Sequence, residues 1–149
     1  MGVMLSRPVR NPGFEELMQQ LGITPTPPQR VLAVGWGGPV EEHRGFVLHS
    51  ADWQTQGSLN IDGGHMLSAN LDALQSIANG EGPQQARLLL GCASWGAGQL
   101  EDEIRQNSWL TAPPTDEILF DDLYHTKWLR SWAILKIDPA MLSGDAGRA

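Results

Sequence analysis

The chain has little cysteine, little positive charge and no long apolar run. Its single cysteine, Cys92, permits no internal disulfide and is compatible with a reducing cytoplasm. The 10 Lys and Arg residues stand against 17 Asp and Glu residues, and the formal net charge of −7 opposes non-specific binding to nucleic-acid backbones. No apolar run approaches the roughly 18 residues that span a bilayer, and no secretory signal is visible. We therefore expect a cytoplasmic protein with no membrane segment, for which direct nucleic-acid binding is disfavoured.

The residues that could form a metal or catalytic site do not fall into a known motif. Metal binding would use His43, His49, His65 and Cys92, but no pair has the spacing of a zinc motif. Ser94 lacks the Gly-x-Ser-x-Gly context of a nucleophile elbow. Cys92 precedes a tight turn next to a predicted helix start, where thiols can be activated, but a small buried residue is the simpler interpretation.

The glycine-rich turn from Gly91 to Gly98 lies between a predicted strand and a predicted helix, where phosphate groups often bind. It has neither the Gly-Lys-Ser/Thr of a P-loop nor the Gly-x-Gly-x-x-Gly spacing. The acidic residues that follow it would repel a phosphate. The sequence therefore predicts a structural turn, and it predicts no catalytic residue, no cofactor and no metal.

The periodicity of apolar residues predicts several helices and short strands. A helix begins at the Asn11-Pro12 pair and ends at Gly22, a second runs from Ser68 to Gly80, a third follows Gly98, and a last one packs an apolar stripe. That stripe is formed by Trp128, Leu129, Trp132 and Leu135. Strands are expected at residues 3–5, 31–36, 44–49, 58–62 and 88–90.

The order of these elements indicates the fold class. Strands and helices alternate irregularly, and the turn Gly37-Gly38-Pro39 is too short for a helical crossover. We therefore predict an α+β fold with substantial antiparallel pairing. Residues 1–149 are expected to form a single domain, with a frayed tail at 143–149.

Two tryptophans next to glycine turns, Trp36 and Trp95, are the best candidates for a partly exposed binding surface, whereas Trp128 and Trp132 are assigned to the core. The acidic pair Asp121-Asp122 is interpreted as a solvated face. The predicted binding surface is made of residues around the two turns, namely Trp36, Gly37, Gly38, Arg44, His49, Trp95 and Gln99.

Three motifs occur in an order that resembles the bacterial AlgH/YqgE family. They are Gly37-Gly38-Pro39-Val40, Arg44-Gly45-Phe46-Val47-Leu48-His49 and Trp95-Gly96-Ala97-Gly98-Gln99-Leu100-Glu101. Asn107, Trp109-Leu110, Phe120-Asp121 and Lys127-Trp128 support the resemblance, which covers essentially the whole chain. It implies a mixed, largely antiparallel bifurcated sheet that curls into a pseudo-barrel with flanking helices, a bacterial and cytoplasmic protein, and a label of transcriptional regulator. It supplies no catalytic residues.

The chain departs from the family in two places. Cys92 stands where an aromatic residue or a histidine is common, and members usually begin with strands upstream of the segment matching residues 1–8. Without such strands, the edge near Met4 and Leu5 would be free, so we expect lowered stability and a homodimer through this edge.

Three functions remain open at this point. The leading hypothesis is a non-enzymatic domain that binds a protein or a small ligand in a regulatory role. The alternative is a small-ligand-binding protein or an enzyme that uses the Gly37-Gly38 and Trp95-Gly96 turns as one pocket. Regulation by direct DNA binding would require a basic stripe on the surface, which the acidic composition does not indicate.

Overall fold

The computed structural model describes residues 1–141, and the predicted frayed tail at 143–149 lies outside these described residues. The chain divides into two compact units, Met1–Trp95 and Gly96–Ala149, each of which is described by itself below. The single domain expected from the sequence therefore stays a prediction. In residues 1–141, no helix has the length and apolar character needed to cross a membrane.

The first unit is a five-stranded sheet with two helices. In chain order its elements are α1 (Phe14–Gln20), β1 (Val34–Trp36), β2 (Val40–Ser50), β3 (Leu59–Asn60), β4 (His65–Ser68), α2 (Leu71–Ala78) and β5 (Ala86–Cys92). The strand order is β1-β5-β2-β4-β3, and only β1 and β5 are parallel. The α+β class and the largely antiparallel sheet with flanking helices are confirmed. In the described part of the chain the sheet is open, so the expected closure into a pseudo-barrel is not what the structure shows.

The connection between β1 and β2 crosses over the end of a third strand. Both strands pair with β5, which lies between them, in spite of the short connection through Gly37 and Gly38. The Gly37 N–H donates to the Leu90 carbonyl at 2.7 Å, so the backbone of the connection lies directly against β5. A Cβ on Gly37 would lie 2.2 Å from the Gly91 carbonyl oxygen, and one on Gly38 would lie 2.2 Å from the Cys92 carbonyl carbon. These glycines permit a contact between two backbones that no side chain could occupy.

The core of this unit lies between one face of the sheet and the two helices. Phe14 and Met18 come from α1, and Leu74 and Ile77 come from α2 at helical spacing. The sheet contributes inward-facing residues from three strands, which are Val34, Val47 and Leu88. Each of these side chains is at least nine-tenths buried, and full burial of one such side chain stabilises the fold by about 1.5–3 kcal/mol.

The helix ends follow local capping, with two corrections to the sequence-based expectations. α1 begins at Phe14 after the N-cap Gly13, two residues beyond the predicted Asn11-Pro12 start. Its last residue is Gln20, and the predicted stop, Gly22, follows the C-cap Leu21 with a φ of +67°. α2 is capped by Asn70, whose side chain accepts from the Ala73 N–H. Ser68, the predicted cap, instead lies in β4.

The second unit is helical in the described residues. It contains α3 (Gln99–Arg105), α4 (Asp116–Phe120), α5 (Tyr124–Leu135) and a 3₁₀ turn (Pro139–Met141). The predicted core stripe of α5 is wrong for Trp128 and Leu129, which are 58% and 55% exposed. Trp128 packs edge-to-face on Trp132 at 5.5 Å, and the buried residue of this helix is Lys127.

The carboxylate of Asp121, predicted from the sequence to lie on a solvated face, instead links α4 to α5. Asp121 is partly buried, and its Oδ1 accepts from the Lys127 ammonium at 2.7 Å and from Arg130 at 2.9 Å. The Lys127 Nζ also donates to the Ile118 carbonyl at 2.5 Å, which compensates for burial of the ammonium group. Hydrogen bonds from Arg130, together with those from Lys127, hold the pKa of Asp121 well below its ordinary value. Asp121 and Lys127, both part of family motifs, are thus linked by one ion pair.

The first prediction concerns the close contact between the Gly37-Gly38 connection and the end of β5. Replacement Gly91→Ala is expected to lower the free energy of unfolding by at least about 2 kcal/mol, because φ is +75° and the new Cβ would lie 2.3 Å from the Gly38 carbonyl oxygen. Urea unfolding followed by circular dichroism measures this loss. The matched control is Gly13→Ala, where nothing lies within 4 Å of the added methyl group and the loss is expected below about 1 kcal/mol. Equal effects of the two variants would contradict the role given to the crossing.

The Asp121 ion pair makes the second prediction. Because the pKa of Asp121 is lower in the folded state than in the unfolded chain, its stabilising effect is full above about pH 5 and is lost progressively as the pH falls from about 4 toward the folded-state pKa. Asp121→Asn is expected to cost about 1–3 kcal/mol at pH 7 and progressively less toward about pH 3. Urea unfolding at several pH values measures this difference, with the exposed Asp138→Asn as control. A cost for Asp121→Asn that does not vary with pH would disprove the assignment.

Candidate functional site

A cavity of the first unit lies between α1, α2 and the sheet and has a volume of about 640 Å³. Leucine is the commonest residue of its walls, with six side chains from α1 and its C-cap, from α2 and from β5, namely Leu17, Leu21, Leu71, Leu74, Leu88 and Leu90. Small-molecule sites in proteins are concave, largely apolar and about 300–1,000 Å³ in volume. The cavity therefore has the size and lining of a small-molecule site.

A glycine in β2 keeps the floor of this cavity open. Gly45 lies opposite Leu90 in the β2–β5 ladder, and Gly45 and Leu90 both line the cavity. Side chains alternate between the two faces of a strand, so a side chain at this position would enter the cavity. A Cβ there would lie 3.3 Å from Leu88 Cδ1, and the backbone of Gly45 does not have a positive φ. The space over Gly45 is thus available because a side chain is missing, and no backbone strain requires the glycine.

A bulge in β2 places charged side chains at the mouth of the cavity. β2 pairs with β5 at Val40–Cys92 and again at Gly45–Leu90, so four residues of β2, 41–44, oppose a single residue of β5. Glu41 has a φ of +50° in this bulge, and all four residues are exposed. Three of their side chains line the cavity, those of Glu42, His43 and Arg44.

Trp36 forms the wall beside this mouth and is half-buried. The guanidinium group of Arg7 lies 4.3 Å from the centroid of its indole ring, a cation–π distance. The indole N–H donates to Glu42 Oε1 at 3.3 Å. Trp36 is thereby fixed between a cation on its ring and a carboxylate at its edge.

The two nearby acidic residues of the bulge differ in their partners. Glu41 forms an ion pair with Arg44 at 3.1 Å, and the Arg44 guanidinium group also lies 5.2 Å from the Phe46 ring centroid. Glu42 has the indole N–H as its hydrogen-bond donor and no cation within ion-pair distance among the described residues. The charge of Arg44 is therefore balanced locally, whereas that of Glu42 is not.

The structure brings together only some of the residues of the predicted binding surface. Trp36 and Arg44 line the cavity, but Gly37 and Gly38 are buried in the backbone crossing. Trp95 is half-buried, and its ring contacts the position where a Cβ on Gly2 would stand, at 3.2 Å.

Gln99, in the second unit, has a capping role at the start of α3. Its side chain accepts from the Gly96 N–H at 3.0 Å and donates to Glu103 at 2.8 Å. Sequence reasoning missed Glu42, Gly45 and the leucines of the cavity, although Gly45 stands inside a family motif.

His49 is enclosed in the first unit and takes part in a buried network. Its Nδ1 lies 2.9 Å from the Ser50 carbonyl oxygen, and its Nε2 lies 2.8 Å from the Ser68 hydroxyl. Ser68 is 2.7 Å from the Ser58 hydroxyl, which in turn accepts from the Thr55 N–H at 3.0 Å. Both His49 and Ser68 are fully buried. The imidazole thus ties β2 to β4 and to the loop before β3, and a solvent-borne substrate does not reach it.

The remaining candidates for chemistry are also placed by the structure. Cys92 is 2% exposed and lies under the Gly38 crossing. Among the described residues, no group of three or more His, Cys, Asp or Glu side chains could hold a metal ion. The arrangement in the first unit can enclose an apolar molecule and offer it a polar rim.

Fold and cavity together define an α+β domain with a ligand-sized space between its helices and its sheet. Comparison with known proteins then gives the family: the AlgH-like family model matches residues 1–140, and the chain belongs to this family.

Relatives from bacteria support this membership. The chain is 50% identical to a UPF0301 protein of Gluconobacter oxydans over all of this chain and 80% of the relative, and 43% identical to one of Rhodospirillum rubrum over all of this chain and 78% of the relative. The solution structure of the AlgH protein from Pseudomonas aeruginosa is similar in fold, with a TM-score of 0.77 and 36% identity over all of this chain and 79% of that one. The resemblance seen in the sequence motifs is confirmed.

Proposed function

We propose that this protein is a non-enzymatic binding domain that holds a small, largely apolar molecule in the cavity between α1, α2 and the sheet. The observation that carries the proposal is the cavity itself, about 640 Å³ with leucine walls and polar groups at its mouth. Leu71 and Leu21, which line this space, are 55% and 47% exposed and therefore leave apolar surface in contact with water. A bound apolar molecule would remove that surface from water.

A regulatory role in the cytoplasm fits such a domain. Ligand binding stabilises the folded form that holds the ligand, and this shift can be transmitted to a partner protein. The single buried cysteine supports a reducing compartment. The net charge of −7 favours action through a protein partner over direct contact with nucleic acid.

The alternative, an enzyme built on the Gly37-Gly38 and Trp95-Gly96 turns, has less support. Gly37 and Gly38 are buried against the β5 backbone, and His49, its best candidate for acid–base chemistry, is fully buried in its own network. General acid–base catalysis needs a group within hydrogen-bond reach of the substrate.

The third prediction tests the cavity. We expect the uncharged fluorescent probe N-phenyl-1-naphthylamine to bind the protein, and Gly45→Val to weaken this binding at least about tenfold, because the new side chain fills the floor of the cavity next to Leu88. Valine suits a strand and meets no φ constraint here. Fluorescence titration measures the affinity, and two-dimensional NMR shows whether the lining residues respond.

Two further variants make this test decisive. Gly64→Ala, in a turn away from the cavity with a nearest contact of 3.7 Å, is the matched glycine control and leaves binding unchanged. Leu71→Trp fills the cavity from α2, at a residue that is 55% exposed, and guards against a folding defect of the first variant. The proposal fails if the probe does not bind, or if both filling variants bind it as the unaltered protein does.

We also propose a homodimer through the N-terminal edge of the first unit. The segment before α1 pairs with the sheet on one side, through Met4 N–H to Gly37 O at 2.8 Å and Val9 N–H to Val34 O at 2.8 Å. No strand pairs with its other side in residues 1–141, and Met4 is 38% exposed. The Leu5 carbonyl accepts from the Arg87 guanidinium group at 3.3 Å, and an extended edge on which no strand lies favours pairing with another chain.

The fourth prediction concerns this edge. The chain is expected to sediment as a concentration-dependent dimer, and Met4→Lys is expected to shift it to a monomer, because two lysines would face each other across the paired edges. Leu59→Lys, on the edge strand β3 at the opposite side of the sheet, is the control and leaves the dimer intact. A monomer at all concentrations, or a dimer that responds only to Leu59→Lys, would refute the proposed interface.

A further inference from the structure

The carboxylate of Glu42 lines the mouth of the cavity without a cationic partner. Among the described residues, its hydrogen bond comes from the Trp36 indole N–H at 3.3 Å, at the long end of the range for such bonds. The neighbouring Arg44 does not neutralise it, because Arg44 pairs with Glu41 at 3.1 Å. The mouth therefore presents a carboxylate that has no ion-pair partner among the described residues, next to an apolar space.

An indole ring stands beside that charge. Trp36 lines the same cavity, and aromatic rings attract cations through their negative faces. The guanidinium group of Arg7 lies 4.3 Å from the centroid of this ring, so the indole already makes one cation–π contact, and Arg7 itself does not line the cavity. A carboxylate and an indole at one rim form a receptor for an ammonium group.

We propose that the ligand of this cavity is a cationic amphiphile, with an aliphatic or aromatic body among the leucines and an amine head at Glu42 and Trp36. This inference rests on the binding function proposed above and adds the chemical class of the ligand. An anionic head is disfavoured, because the guanidinium group that lines the mouth, that of Arg44, is already paired with Glu41 and lies 5.2 Å from the Phe46 ring centroid. A carboxylate head would instead meet the carboxylate of Glu42, which has no ion-pair partner among the described residues.

Three probes with the same alkyl chain and different heads test this inference. Decylamine at about pH 7, decanol and decanoate are titrated below their micelle concentrations, with displacement of N-phenyl-1-naphthylamine as the readout. We expect decylamine to bind at least about tenfold more tightly than decanol, and decanoate to bind more weakly than decanol. Glu42→Gln is expected to bring decylamine to the affinity of decanol without changing that of decanol.

Controls separate a local effect from the acidic charge of the whole chain. Glu16→Gln, an exposed residue of α1 that does not line the cavity, removes one negative charge and leaves the amine preference intact. Trp36→Leu is expected to reduce the preference and keep the decanol affinity within about threefold, since leucine preserves an apolar wall.

The outcomes distinguish this inference from the binding function on which it rests. If no probe binds, or if binding ignores Gly45→Val, the proposed function fails. Suppose that Gly45→Val weakens binding of all three probes, but that decanol or decanoate binds most tightly. The cavity is then a binding site, and the proposal of a cationic ligand is wrong. An amine preference that persists in Glu42→Gln also overturns the assignment.

Discussion

The close approach between the Gly37-Gly38 backbone and the end of β5 is the constraint on which the first unit depends. A connection of a few residues joins β1 to β2, yet β5 lies between these strands. This is possible only because the connection passes over β5 at a distance that excludes a Cβ on either side. Three glycines, Gly37, Gly38 and Gly91, meet this requirement, and the parallel β1–β5 pair follows from it.

The same crossing places the candidate site. Once the chain has passed over Gly91, β2 re-enters the ladder only at Gly45, and the residues between form the exposed bulge. The bulge carries Glu42 to the mouth, and Gly45 leaves the floor open beneath it. The backbone contact at one end of β5 thus determines the position of the Glu42 carboxylate next to the cavity.

Local features of the fold could be predicted from the sequence, whereas features that depend on contacts between distant segments could not. The positive φ of Gly22 just after α1 and the presence of α2 between Ser68 and Gly80 were predictable from the local sequence, and both are found. The place of β5 between β1 and β2 was not predictable, because pairing between distant segments leaves no local periodicity. The apolar spacing in α5 wrongly predicted a buried Trp128. Lys127 is buried instead, because its ammonium group bonds to Asp121 and to the Ile118 carbonyl, and a helical pattern does not reveal such partners.

The cavity was likewise beyond the sequence, since its walls come from α1, α2, β2 and β5, and its key position is a glycine without a side chain. Motif reasoning pointed to Trp36 and Arg44, which do lie there. It also pointed to His49, because a histidine in an apolar strand suggests chemistry until its partners are known.

Those partners give the His49 network a single direction. The Ser50 carbonyl can only accept, so the neutral imidazole carries its proton on Nδ1 and accepts from the Ser68 hydroxyl through Nε2. Ser68 then accepts from Ser58, and Ser58 accepts from the Thr55 amide. Every hydrogen in this relay points the same way, from a loop through the sheet to a backbone carbonyl. The network therefore has a fixed direction. A side chain of the same shape with its donor and acceptor exchanged would fit the space, but it would leave two donors or two acceptors facing each other.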